Sequence, residues 1–143
     1  MNNEFEEQEK RIAAIFRKKF RDITKRTKTL EFYKAFLEKE LDFPVKLKSV
    51  EYFKWEEYYV LGPGDKKEYE ELKKTRASLS DVFNLVRIDK HIDEEYGLFA
   101  KVTRVSDRKR FTIPLIDLKA HDEESKNYQL LIDYVVWCSS YDE

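Results

Sequence analysis

The sequence predicts an α+β domain: N-terminal helices followed by a small antiparallel, barrel-like (SH3-like) β-sheet with one short inserted helix. Apolar residues recur at helical spacing as far as Leu41 and alternate with polar ones from Val45 onward. The later apolar runs are of strand length and are separated by hairpin-length polar links. A chain of 143 residues is the size of one compact domain. A helical segment over 1–42 and a sheet over 43–143 are therefore read as one unit.

In the first segment Phe5, Ile12, Phe16, Phe20 and Ile23 follow a helical stripe and predict a helix over 5–23. Thr29 is placed to cap a second helix carrying Leu30, Tyr33, Phe36, Leu37 and Leu41, which Pro44 ends because the residue before a proline avoids the helical region. Val45 and Leu47 then alternate with Lys46 and Lys48 as a short strand. Residues 51–61 are aromatic-rich and expected to be extended. After the Gly62-Pro63-Gly64 turn, Asp65 caps a short helix reaching about Lys74. Runs 81–88, 97–105, 109–116 and 133–138 are expected strands, with Ser106-Asp107-Arg108 as a hairpin loop. Trp55, Tyr58, Tyr59, Phe83, Phe99, Phe111, Tyr134 and Trp137 are expected to fill the barrel.

Composition excludes several classes. The chain is 40% charged, but 28 basic and 29 acidic residues cancel, so the global field selects neither nucleic acid nor an acidic substrate, and nucleic acid is not an expected partner. Only three glycines occur, Gly62, Gly64 and Gly97, and no loop holds the several that a phosphate cradle needs. Cys138 has no partner for a disulfide, and with His91 and His121 it is too little for a structural zinc site. Following an aromatic in an apolar run, Cys138 reads as a small hydrophobe rather than a nucleophile, and no enzyme chemistry is expected. The N-terminus is acidic and no run approaches the length of a membrane span, which suggests a cytoplasmic protein. Charge is nevertheless uneven: residues 1–50 hold 13 basic against 9 acidic residues. Within them Arg17, Lys18, Arg21 and Lys25 form a candidate face for a protein partner or self-association.

Several segments carry a resemblance. FPV at 43–45, WEE at 55–57 with Tyr59, KEYEELKKT at 67–75, GLFAKVTRVSD at 97–107, FTIPLIDL at 111–118 and NYQLLIDYVVW at 127–137 resemble the CcbP-type calcium-binding proteins of cyanobacteria and their bacterial relatives. The likeness covers roughly residues 30–143. It implies helices followed by a barrel-like sheet, and binding of calcium through surface carboxylates without an EF-hand.

Calcium takes six to eight oxygen ligands, so carboxylates must converge on an irregular loop. The loop RIDKHIDEEYG crowds Asp89, Asp93, Glu94 and Glu95 between two expected strands, and it also reads as a solvated hairpin tip. Asp117 and Asp133 stand at expected strand ends that can be neighbours; alternatively Asp133 caps a turn and Asp117 pairs with Lys119. Asp122-Glu123-Glu124, Glu56-Glu57 and Glu68, Glu70 and Glu71 read as solvated charge. The expected function is a calcium buffer or sensor. The alternative is a metal-free protein-interaction module using the basic first helix or an aromatic sheet face.

Overall fold

The computed structural model describes residues 3–142. In chain order the elements are α1 (Asn3–Phe16), α2 (Thr27–Glu40), β1 (Lys46–Ser49), α3 (Lys54–Val60), α4 (Lys66–Leu72), β2 (Val82–Asp93), β3 (Gly97–Arg104), β4 (Arg110–Pro114), a 3-10 turn (Leu115–Asp117), β5 (Leu118–Ala120) and α5 (Lys126–Ser140). All strand pairs are antiparallel, in the order β4-β3-β2-β1-β5. The fold class is α+β as expected, but the sheet is open: β4 and β5 lie at opposite edges and do not pair.

The missing closure has a local cause. Residues 133–138, expected as a strand, lie inside α5. Leu131, Tyr134, Trp137 and Cys138 are buried at helical spacing, and a run this short fits both periods until a cap decides. Ser125 supplies that cap, its hydroxyl accepting from the Tyr128 N–H at 3.1 Å. The helix packs against β5 and the 3-10 turn instead of pairing as a strand. Trp137 becomes the centre of an aromatic cluster, with ring centroids 4.9 Å from Tyr33 and 5.4 Å from Phe16. Burial also pushes the Cys138 thiol up to about 11. A thiol raised that far is about 100-fold poorer in thiolate at pH 8 than an ordinary one. Iodoacetamide is therefore expected to label native Cys138 at least 100-fold more slowly than the urea-unfolded chain.

The first helix is shorter than its stripe. It ends at Phe16, and the chain folds back so that Phe20 packs edge-on against Phe16 and Phe32, at 6.0 and 5.3 Å. Ile23 still reaches the core side, where its carbonyl accepts from the Trp137 indole N–H at 2.7 Å. Thr29 is the third residue of α2 rather than its cap, and its hydroxyl accepts from the Arg26 N–H at 3.0 Å.

Residues 51–61 are not extended; 54–60 form α3, so the insertion holds two short helices instead of one. Their aromatics pack on each other, Tyr69 of α4 lying 5.4 Å from Tyr59 and 5.6 Å from Trp55, and tertiary contact overrides β-propensity here. Of the aromatics expected to fill a barrel, Phe83, Tyr134 and Trp137 are buried, whereas Tyr58 is 57% exposed. Asp65 caps α4 as expected, accepting from the Glu68 N–H at 2.9 Å.

The helices cover one face of the sheet. Leu98, Ala100 and Val102 of β3 and Phe83, Leu85 and Ile88 of β2 point into the core. Leu85 pairs with Val102 and Arg87 with Lys101, so Val86 is an extra residue that bulges outward at 51% exposure and returns Ile88 to the core. The β2–β3 turn ends at Gly97, whose φ of +78° suits glycine; an added Cβ would also collide with the Tyr134 hydroxyl. That hydroxyl accepts from the Leu98 N–H at 2.8 Å, tying α5 to the hairpin. No helix among the described residues is long and apolar enough to cross a membrane.

Candidate metal site

The acidic segment 89–95 is not a loop for most of its length. Strand β2 runs to Asp93, and only 94–96 turn. Asp89 lies where three residues of β2 face Phe99 alone, between the Ile88–Ala100 and Ile92–Leu98 pairs, and its carboxyl has no hydrogen bond or ion pair among the described residues. Asp93 closes the turn on itself: one oxygen accepts from the Tyr96 and Glu95 N–H groups, each at 2.8 Å, and these bonds hold its carboxyl below the usual range. Glu94 reaches across to α2, accepting from the Thr27 hydroxyl at 2.8 Å and its N–H at 3.0 Å, which lowers its pKa in turn.

A cation already serves this tip. The Lys25 ammonium, with only 5% of its side chain exposed, donates to the Glu95 carbonyl at 3.0 Å and lies 3.7 Å from Asp142. Lys25 is thus withdrawn from the basic surface on which the sequence placed it. Arg17, Lys18 and Arg21, on the segment leaving α1, are exposed and make no ion pair among the described residues.

Asp133 is also spoken for. It lies inside α5, not at a strand end, and is 4% exposed. Arg11 grips it with two bonds, Nε to Oδ2 at 2.9 Å and Nη2 to Oδ1 at 3.0 Å, and Gln8 adds a third at 3.0 Å. A carboxylate held by three donors and facing α1 cannot join Asp117 around an ion.

Asp117 is different. It ends the 3-10 turn before β5, its carbonyl accepts from the Val50 N–H at 2.9 Å, and its carboxyl has no donor among the described residues. Partial desolvation, and then the neighbouring Glu51, push that carboxyl above the usual range. Glu51 was not singled out in the sequence. The β1–β5 register pairs Ser49 with Leu118, which sets the residues after β1 beside those before β5; only knowledge of that pairing exposes Glu51 as a neighbour of Asp117. Two carboxylates without a counter-ion repel, and a divalent cation reverses that repulsion. Among the described residues no three His, Cys, Asp or Glu side chains converge as a ready metal cage. A calcium ion here would complete its shell with main-chain carbonyls and water.

The architecture is that of a small α+β domain with three helices and a helical insertion on one face of a five-stranded antiparallel sheet. Two solved structures share it along nearly the whole chain. One is a calcium-binding protein in the calcium-binding form, with a TM-score of 0.58 and 14% identity over 100% of this chain and 99% of its own. The other is Anabaena CcbP, with a TM-score of 0.59 and 15% identity over 96% of this chain and 94% of its own. The likeness extends to the first helix the α+β architecture that the sequence resemblance implied, with an open sheet in place of the implied barrel. No protein-family model matches the sequence, and no curated protein does.

Proposed function

We propose that the protein binds calcium reversibly, as a buffer or sensor, without an EF-hand. The observation that carries this reading is the end-to-end likeness of fold to Anabaena CcbP and to a calcium-binding protein in its calcium-binding form. The site we favour is the Asp117–Glu51 pair, because the hairpin tip already holds the Lys25 ammonium and Asp133 is neutralised by Arg11. Asp89, Asp93, Glu94 and Glu95 are the second candidate set. Protons compete with calcium for Asp117, and its carboxyl is raised, so binding weakens on acidification sooner than at an ordinary carboxylate.

Calcium at 100 times its dissociation constant adds about 2.7 kcal/mol of stability, a rise in melting temperature of about 5–10 °C for a domain near this size. Melts of metal-stripped protein in millimolar calcium, with magnesium as control, are expected to show it. Glu51→Gln with Asp117→Asn abolishes the rise, while Asp93→Asn with Glu95→Gln leaves it. No rise in the parent protein overturns calcium binding; loss only in the hairpin variant moves the site to the β2–β3 turn.

A further inference from the structure

The face of the sheet turned away from the helices carries a surface that the sequence hides. Inward residues on each strand leave the opposite positions outward, and the charged residues among these include Lys46 and Lys48 on β1, Arg87 on β2, Lys101 on β3, Arg110 on β4 and Lys119 on β5. The stretches 46–48, 82–87, 101–103, 110–112 and 118–120 contain no acidic residue. Register makes the charge denser still, since Lys48 sits directly opposite Lys119 and Arg87 directly opposite Lys101. Like charges directly across a strand pair are destabilising. Lys119 has Glu123 at 3.3 Å and Lys101 donates to the Thr112 hydroxyl at 2.8 Å, while Lys46, Lys48, Arg87 and Arg110 have no ion pair among the described residues. Over β2, β3 and β4 the face is concave, with a hollow of about 440 Å³ bordered by Val86, Arg87, Lys101, Arg110 and Thr112. Further along, Phe99 stacks with His91, their centroids 5.6 Å apart at 25°.

We propose that this face binds single-stranded nucleic acid. Six cations spread over five strands at about 4.8 Å spacing match a chain of phosphates, and the Phe99–His91 pair gives an unpaired base a surface to stack on, which a duplex cannot use. The near-zero net charge does not oppose this, because an approaching strand meets the local field and not the sum. The proposal is independent of the calcium reading and is tested in EDTA.

The probe is a fluorescein-labelled oligo-dT of about 20 nucleotides, long enough for one site of this kind, read by anisotropy at about 50 and 200 mM salt. Binding is expected to weaken with salt at about −0.7 in the log–log slope per phosphate contacted. Lys48→Gln with Lys101→Gln is expected to lower affinity at least tenfold and flatten that slope, with a melting temperature equal to or above the parent's because two like-charge pairs are relieved. Absence of oligo-dT binding, undiminished binding by the double variant, or equal binding of polyglutamate or of duplex DNA each overturns the proposal. Polyglutamate binding would point instead to an acidic protein partner.

Discussion

Arg104→Met is expected to destabilise the domain by about 3–5 kcal/mol, the usual cost of breaking a buried charge pair by removing one partner. Arg104 is 3% exposed and its guanidinium makes six hydrogen bonds. Three go to the carbonyls of Lys73, Lys74 and Arg76, where the chain leaves α4; one goes to Asp81 at 3.0 Å and two to Asp107 in the β3–β4 hairpin. The Phe111 ring lies beneath it at 5.3 Å. Methionine fills similar volume but leaves the three carbonyls without this donor and Asp81 with only the Ser78 N–H, at 2.9 Å, so the melting temperature should fall by about 10–20 °C. Lysine does not rescue it, because one ammonium cannot reproduce a planar fork with donors in several directions. The Arg104 bonds, foremost among the causes, hold Asp107 down to about 2 from its ordinary 3.8. A depressed carboxylate contributes stability that is complete above its unfolded value and is lost as pH falls through the folded one. The parent's stability should therefore drop between about pH 4 and pH 2, and that acid limb should flatten in Arg104→Met. Equal urea midpoints for the two proteins would refute this account.

Glu56→Ala is the second large effect. Glu56 is fully buried, contrary to its reading as solvated charge. One oxygen accepts from the Phe53 N–H at 2.9 Å, capping α3, and from the Leu79 N–H at 3.0 Å; the other accepts from the Tyr69 hydroxyl at 2.6 Å. This carboxylate joins the start of α3, the middle of α4 and the approach to β2. Alanine leaves three part-buried donors without this acceptor, at about 1–3 kcal/mol for each that stays unsatisfied, and partial solvation and relaxation bring the expected total to about 3–5 kcal/mol. Glu56→Gln keeps an acceptor for the two N–H groups and is expected to cost about 1 kcal/mol, the worth of a single hydrogen bond. Urea melts of the two variants, with hydrogen exchange at the Leu79 amide, separate the cases. Equal stability of Ala and Gln variants would mean that the network contributes little.

These two hubs show where local reading of the chain stops. Arg104 stands among residues that alternate as a strand, and Glu56 beside Glu57 in a charged segment; nothing within a few residues marks either as buried. Their partners lie 23–31 positions away for the Arg104 bonds to the α4 exit and Asp81, and 23 positions away for Glu56 to Leu79. Asp133 is the same case at greater range, since it is neutralised by Arg11, 122 positions earlier. The helices and strands whose apolar period was unambiguous, namely α2, β1, β3 and the hairpin into β4, are where the sequence places them. The errors fall on the far end of the first helix, which stops at Phe16, and on 51–61 and 133–138, short aromatic runs compatible with two periods; the helical outcome at 133–138 removed a strand expected in the barrel.

From the sequence alone follow the α+β class with leading helices, the absence of a phosphate-cradling loop, and a small set of carboxylates among which an ion would have to choose. Each of these depends on composition or on spacing within one element, which the order of residues states directly. Only the tertiary structure decides which carboxylates remain free, because that depends on Thr27, Arg11 and Gln8 arriving from other elements. It alone also places Glu51 beside Asp117 and gathers six cations on one sheet face. Strand register and long-range ion pairing determine both arrangements, and neither has a local period that a sequence can display.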